Sequence, residues 1–110
     1  YPRPANAPPG AVSAKILALE VGCGALLTSS GQAANFYAVI NLCQAGDPVV
    51  SSAAIYGGTT NLVTVTIPKM GVECTLVSPD ASEEELAAAF RPNTKVLFAE
   101  TIAKPALTVL

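Results

Sequence analysis

Apolar positions fall in short clusters, separated by Gly, Pro and Ser/Thr punctuation. Ile16, Leu17 and Leu19 predict a helix from about Ala11 to Glu20, stopped by Gly22. The run Gly24–Thr28 is short and apolar, as a buried strand is. Ser29-Ser30-Gly31-Gln32 then opens a helix to about Ala45, halted at Gly46. Ser29 and Gln32 have the S-x-x-Q spacing of a capping box. Ala34, Phe36, Tyr37, Val39, Ile40, Leu42 and Cys43 make this helix apolar nearly all round, which predicts burial on more than one side.

Val49–Ser52 reads as a second strand, with Pro48 tolerated at its entry. Tyr56-Gly57-Gly58-Thr59 is a turn, with Thr59 or Thr60 able to cap the next element. Asn61–Ile67 is ambiguous. Its β-branched residues favour a strand, whereas the preceding cap, the length to Met70 and Gly71 fit a helix. Val72–Val77 predicts a third strand. Ser82 to Glu85 has capping-box spacing with acids in the first turn, opening a solvated helix to about Phe90. Thr94–Glu100 predicts a fourth strand and Ala103–Leu107 a loop. Residues 1–10 are Pro-rich and read as an extended arm; residues 11–110 read as one α/β domain. Strands alternating with helices predict a parallel sheet with right-handed crossovers, whose ligands lie beyond the carboxyl ends of the strands.

Composition narrows the function. Only 13% of the 110 residues are charged and 51% are hydrophobic, against roughly 25% charged in a typical soluble domain. A surface so poor in charge predicts cover from more chain or another subunit. High apolar content with a net charge of −2 excludes disorder. Six basic against eight acidic residues argue against nucleic-acid binding. There is no His, so His-based acid–base chemistry and His–metal sites are excluded, and no metal site is expected. Cys23, Cys43 and Cys74 lack metal or disulfide spacing; they read as inert core thiols suited to a reducing cytoplasm. The uncharged stretches Val21–Gly46 and Pro48–Pro68 carry too many Ser, Thr, Asn and Gln to cross a membrane. No secretory signal is visible. The chain starts without Met and ends on Leu107-Thr108-Val109-Leu110, so it reads as an incomplete portion of a longer subunit.

Three polar turns follow strands on one sheet edge. Ser29-Ser30-Gly31-Gln32 offers backbone N–H groups at a helix start, where Gly31 lets an anion approach closely; a plain capped helix is the alternative. Tyr56-Gly57-Gly58-Thr59 places a ring beside an open backbone, either a tight turn with a partly buried Tyr or a face for a planar ligand. Glu100-Thr101-Ile102-Ala103-Lys104-Pro105 is a strand end and turn. A phosphate cradle beside a stacking ring suggests a flat phosphorylated cofactor, a description that pyridoxal 5′-phosphate (PLP) meets.

At these residues the chain resembles the Cys/Met-metabolism group of PLP enzymes of fold type I. The resemblance rests on Leu26-Leu27-Thr28-Ser29-Ser30-Gly31-Gln32-Ala33-Ala34, Ala45-Gly46-Asp47, Tyr56-Gly57-Gly58-Thr59, and Pro92-Asn93-Thr94-Lys95 leading into Phe98-Ala99-Glu100-Thr101-Ile102. Tyr1 and Arg3, with Asn6 in step, resemble the start of the family's Tyr-x-Arg-x-x-Asn-Pro-Thr segment. The Ser-Ser-Gly-Gln-Ala-Ala form most resembles O-acetylhomoserine sulfhydrylases of methionine biosynthesis.

The resemblance implies a parallel-sheet, three-layer segment of a PLP-dependent transferase large domain. It implies that Gly31 and Gln32 hold the cofactor phosphate, that Tyr56 stacks on the pyridine ring, and that Tyr1 and Arg3 reach the phosphate of a neighbouring subunit. Tyr56 and Tyr1 are thereby the catalytic candidates, and the protein a cytoplasmic homo-oligomer, a homotetramer, with a shared active site. Lys104 stands where the family has an Asn that contacts the cofactor's phenolic oxygen, and either pairs with that oxygen or crowds the ring. The implied reaction replaces the acetate of O-acetylhomoserine by sulfide. The Schiff-base Lys and the acid at the pyridine nitrogen belong downstream of Leu110 in the family; Lys15 and Lys95 read as solvated and Lys69 as a helix C-terminal charge. A cystathionine γ-synthase or γ-lyase, a non-catalytic phosphate-binding or assembly fragment, and a nucleotide-binding α/β domain are the alternatives.

Overall fold

The computed structural model describes residues 7–103 and 108–109, in two units that divide after Ala34. In the first, α1 spans Ala7–Glu20. It starts four residues before the expected position because Pro8 and Pro9 fall in its first turn, where a missing N–H leaves no bond unmade. Residues 7–10 of the expected arm are therefore helical; residues 1–6 lie outside the described residues. The helix ends with Gly22 N–H donating to the Leu17 carbonyl at 3.0 Å and Val21 N–H to that of Ala18 at 3.4 Å, the paired bonds of a Schellman stop. Val21 takes the left-handed position with φ 54°, costly for a β-branched residue, and its side chain is 91% exposed.

Gly24–Thr28 is not a strand, contrary to expectation: its backbone is irregular and Leu26 is 85% exposed. A strand is completed by a neighbour's ladder, and no ladder among the described residues includes this run. Helix α2 follows at Gly31–Leu42. Its cap is Ser30, whose Oγ accepts from Ala33 N–H at 3.0 Å, one residue past the Ser29 expected. The cap slips by one because Ser30, not Ser29, supplies the carbonyl that takes the first helical bond, from Ala34 N–H at 3.1 Å.

The second unit is built on a three-stranded parallel sheet in the order β2-β1-β3. The strands are β1 (Val49–Ser52), β2 (Cys74–Val77) and β3 (Val96–Phe98). Val49 lies level with Cys74 on one side and Val96 on the other. The central strand is buried along its whole length, as a parallel strand covered on both faces must be. On one face Val49 joins Val39 and Cys43 of α2 with Ile55, Val63, Ile67 and Val72 in the core. On the other, Leu86 of α4 (Glu83–Ala89) shares a lining with Ser52, Val77 and Leu97. Helix, sheet and helix are the three layers expected.

Helix α2 was expected to be buried on more than one side. From Asn35 onward only the stripe Phe36, Val39, Ile40 and Cys43 meets the core; Tyr37 is 57% and Leu42 55% exposed. The remaining apolar side has no cover among the described residues.

The ambiguous stretch is helical. α3 (Gly57–Asn61) runs on as a wide turn over Leu62–Thr66 and a tight one over Ile67–Met70. Thr59, Val63 and Ile67 are buried at a spacing of four while Asn61 and Val65 between them are exposed, which a strand's alternation cannot produce. Thr64 Oγ1 donates to the Thr60 carbonyl at 2.6 Å, so a residue with strand propensity is absorbed by bonding back one turn. Gly71 ends the segment at φ 83°, and a Cβ there would meet that of Ala45 at 3.0 Å. Only glycine satisfies both conditions.

Ser82 forms the expected box: its Oγ accepts from Glu85 N–H at 3.2 Å and Glu85 Oε2 from Ser82 N–H at 3.3 Å. The expected loop at Ala103–Leu107 begins instead as strand. Ile102–Ala103 (β4) pairs antiparallel with Thr108–Val109 (β5). Of the three cysteines expected in the core only Cys43 is fully buried; Cys74 is partly buried and Cys23 exposed, since Cys23 lies in the irregular stretch after α1. Burial pushes the Cys43 thiol up, the Asp47 carboxylate adds to this and Lys95 opposes it; burial also raises Cys74.

Candidate active site

The two edges of the sheet differ chemically. At the amino ends, Lys95 Nζ lies 3.1 Å from Asp47 Oδ2 and Arg91 3.6 Å from Glu73. Asn93 Nδ2 donates to the Gly46 carbonyl at 3.0 Å. Lys95, expected to be merely solvated, is thus an ion-pair partner across the edge. Asp47 Oδ2 also accepts from Gln44 N–H at 2.9 Å. That amide first, and then Lys95, hold the Asp47 carboxyl below its ordinary range. These contacts fasten the sheet and leave the opposite edge for chemistry.

The carboxyl edge is pinned residue by residue. After β1, Ala53 N–H donates to the Val77 carbonyl at 2.8 Å and Ala54 N–H to Ser52 Oγ at 3.1 Å. Ile55 is buried. Tyr56 then caps α3 with extended backbone, φ −53° and ψ 138°. Its carbonyl accepts from Thr60 N–H at 3.0 Å and its N–H donates to Glu100 Oε1, also at 3.0 Å. The turns after β1 and β3, expected on one edge, are joined by this bond. The Tyr56 side chain is half exposed and lies outside the core cluster. Beside them a cavity of about 150 Å³, lined by Ser52, Val77, Ser78, Leu86, Leu97 and Ala99, opens between sheet and α4.

In the first unit, Thr28 Oγ1 donates to the Ser30 carbonyl at 2.8 Å, bracing the turn before α2. Helix geometry gives the Gly31 N–H no intrahelical acceptor, and nothing lies within 4 Å of where a Gly31 Cβ would sit. Gln32 occupies the second helical position, half-buried. A helix-start N–H without an intrahelical acceptor is the kind of group that a phosphate uses. Tyr1, Arg3 and Lys104 lie outside the described residues.

Sequence reasoning grouped the Tyr56 and Glu100 turns but missed the partnership between them. The available signal was an acid placed directly after an apolar strand, on the edge where ligands bind.

The Cys/Met metabolism PLP-dependent enzyme family matches residues 1–110. The chain belongs to this family. Among curated Cys/Met-metabolism enzymes, it is 41% identical over 110 residues to the O-acetyl-L-homoserine sulfhydrylase of Corynebacterium glutamicum, covering all of this chain and 25% of the relative. It is 40% identical over 109 residues to the homocysteine synthase of Schizosaccharomyces pombe, covering 99% and 25%. The chain thus spans about a quarter of the length of the curated relatives it matches. The solved O-acetylhomoserine sulfhydrylase of Wolinella succinogenes superposes with a TM-score of 0.87 at 33% identity, over 96% of this chain and 30% of that one. A Campylobacter jejuni protein described as an O-acetylhomoserine (thiol)-lyase, bearing N′-pyridoxyl-lysine-5′-monophosphate, gives 0.84 at 34%, over 89% and 24%. The family and fold inferred from the strings around Gly31, Tyr56 and Glu100 are therefore those of this chain.

Proposed function

We propose that the protein carrying this chain is a PLP-dependent O-acetylhomoserine sulfhydrylase, exchanging the γ-acetate of O-acetylhomoserine for sulfide to give homocysteine and acetate. The observation that carries this reading is the unbroken similarity of the whole chain, at 36–41% identity, to relatives named for that activity. When bound, the cofactor supplies an electron sink for the substrate's carbanion; the residues here bind and orient. Gly31 and Gln32 direct backbone N–H groups to the phosphate. The fit is supported at Gly31, the first residue of α2, whose N–H has no intrahelical acceptor and where no side chain stands in the way of close approach, while the Ser30 hydroxyl is engaged with Ala33. Tyr56 presents its ring to the pyridine, supported by its position outside the core. Tyr1 and Arg3 reach the phosphate of a neighbouring subunit of a homo-oligomer, where the planar fork of Arg donates two hydrogen bonds. Lys104 stands at the phenolic oxygen. Residues 1–6 serve as the arm and the remainder as the amino-terminal part of the cofactor-binding domain. We place the protein in the cytoplasm, a reading supported by the free thiols Cys23, Cys43 and Cys74. Among the described residues no helix is long and apolar enough to cross a membrane.

The test is made on the full-length protein. Added PLP is expected to give an absorbance band near the visible that borohydride bleaches, and sulfide with O-acetylhomoserine to yield homocysteine. No band defeats the cofactor assignment. Faster turnover with cysteine than with sulfide reassigns the protein to the γ-synthases.

A further inference from the structure

We propose that Glu100 is a positioning residue for Tyr56: its carboxylate, two residues beyond β3, clamps the backbone from which the Tyr56 ring projects. The inference rests on the reading that Tyr56 faces the cofactor ring.

The geometry is specific. Glu100 Oε1 accepts from Tyr56 N–H at 3.0 Å across a separation of 44 residues. A charged acceptor makes a hydrogen bond stronger than a neutral one. Tyr56 is the N-cap of α3 yet makes no side-chain cap bond, so its side chain is not used to hold its own backbone. The next two residues are Gly57 and Gly58, the most permissive backbone available. A Cβ at Gly57 would meet nothing within 4 Å, so side-chain packing there does not steady the turn. Upstream, Ile55 is anchored in the core. Tyr56 therefore sits at the junction between a core-anchored residue and the glycine-rich first turn of α3. Its carbonyl is held by Thr60 within its own helix, while its N–H is tied by Glu100 to the segment that follows β3. An acid beside the first turn of a helical segment is also favoured by the exposed N–H groups there. With Glu100 in place, the backbone torsions that aim the ring are set before any ligand arrives, which lowers the cost of ordering it on binding.

The test uses full-length apoprotein titrated with PLP, reading the dissociation constant, the induced circular dichroism of the bound cofactor and the thermal midpoint without PLP. Glu100→Ala is expected to weaken PLP by roughly five- to tenfold, the loss of one charge-assisted bond, and to diminish the induced dichroism. Glu100→Gln, which keeps an acceptor of the same length, is expected to restore most of both. Glu100→Asp, one methylene too short, is expected to behave more like Ala. In a Tyr56→Ala background, Glu100→Ala is expected to cost little more, because a residue acting through another is not additive with it. PLP binding unchanged in Tyr56→Ala overturns the reading of Tyr56 itself. Weakened binding in Tyr56→Ala, with Glu100→Ala binding like wild type or adding its full loss to that of Tyr56→Ala, overturns the positioning role alone. If Glu100→Ala does not fold, Gln and Asp decide: equal PLP binding by the two overturns the proposal, and tighter binding by Gln supports it.

Discussion

At the scale of single residues, Asp47 shows how a polar position does two jobs at once. It closes the turn after α2 through Gln44 N–H and joins β3 through Lys95. Both contacts favour the ionised form, so its carboxyl titrates below its ordinary range when folded. A group depressed in the folded state stabilises above its unfolded pKa, about 4 for Asp, and loses that contribution as pH falls through the folded value. Wild type is thus expected to melt above Asp47→Asn at neutral pH, with the gap narrowing as pH is lowered through the carboxylate range. Thermal melts across that range check this; a gap constant with pH would mean that the charge of Asp47 is immaterial. The pairing was only half legible. Lys95 before a strand signals a solvated charge, and nothing local reveals the acid that the register of β1 beside β3 sets opposite it.

At the scale of elements, local chemistry and long-range packing divide the chain between them. The helix over Glu83–Ala89 was readable because its cap is wholly local: Ser82 and Glu85 satisfy each other's backbone. Ser82→Ala is expected to destabilise the protein by about 1 kcal/mol, measured by denaturant unfolding; no change would mean that the box is a consequence of the helix rather than a support for it. The stretch Leu62–Ile67 was unreadable by the same means. Its β-branched residues favour a strand, and only the burial of Val63 and Ile67 against Val39 and Val49 makes helix the better state, as tertiary packing outweighs a weak propensity. The run Gly24–Thr28 fails in the opposite sense. Its composition suits a strand, but a ladder must be completed by a neighbour, and none among the described residues offers one.

At the scale of the molecule, low charge translates into apolar surface in both units. Leu19, Val21 and Leu26 are exposed in one; Tyr37, Leu42, Leu97 and Val109 in the other. With only 13% of residues charged and a net charge of −2, little repulsion keeps copies of this chain apart. The isolated 110-residue chain is therefore expected to self-associate, running in size exclusion with light scattering well above its 11.1 kDa. A monodisperse monomer of that mass would show that these residues need no cover.

The residues themselves were enough to determine the family, the α/β class, the core strand Val49–Ser52, the capping box at Ser82 and the positions of the candidate turns, because each is written in local spacing or in strings of adjacent residues. Tertiary structure alone decided that Val63 and Ile67 belong to a helix, that Cys23 lies outside the core, that Lys95 pairs with Asp47 and that Glu100 holds Tyr56. Those outcomes depend on which groups, distant along the chain, are brought within about 3 Å of each other, the reach of a hydrogen bond, and a one-dimensional pattern carries no such distance.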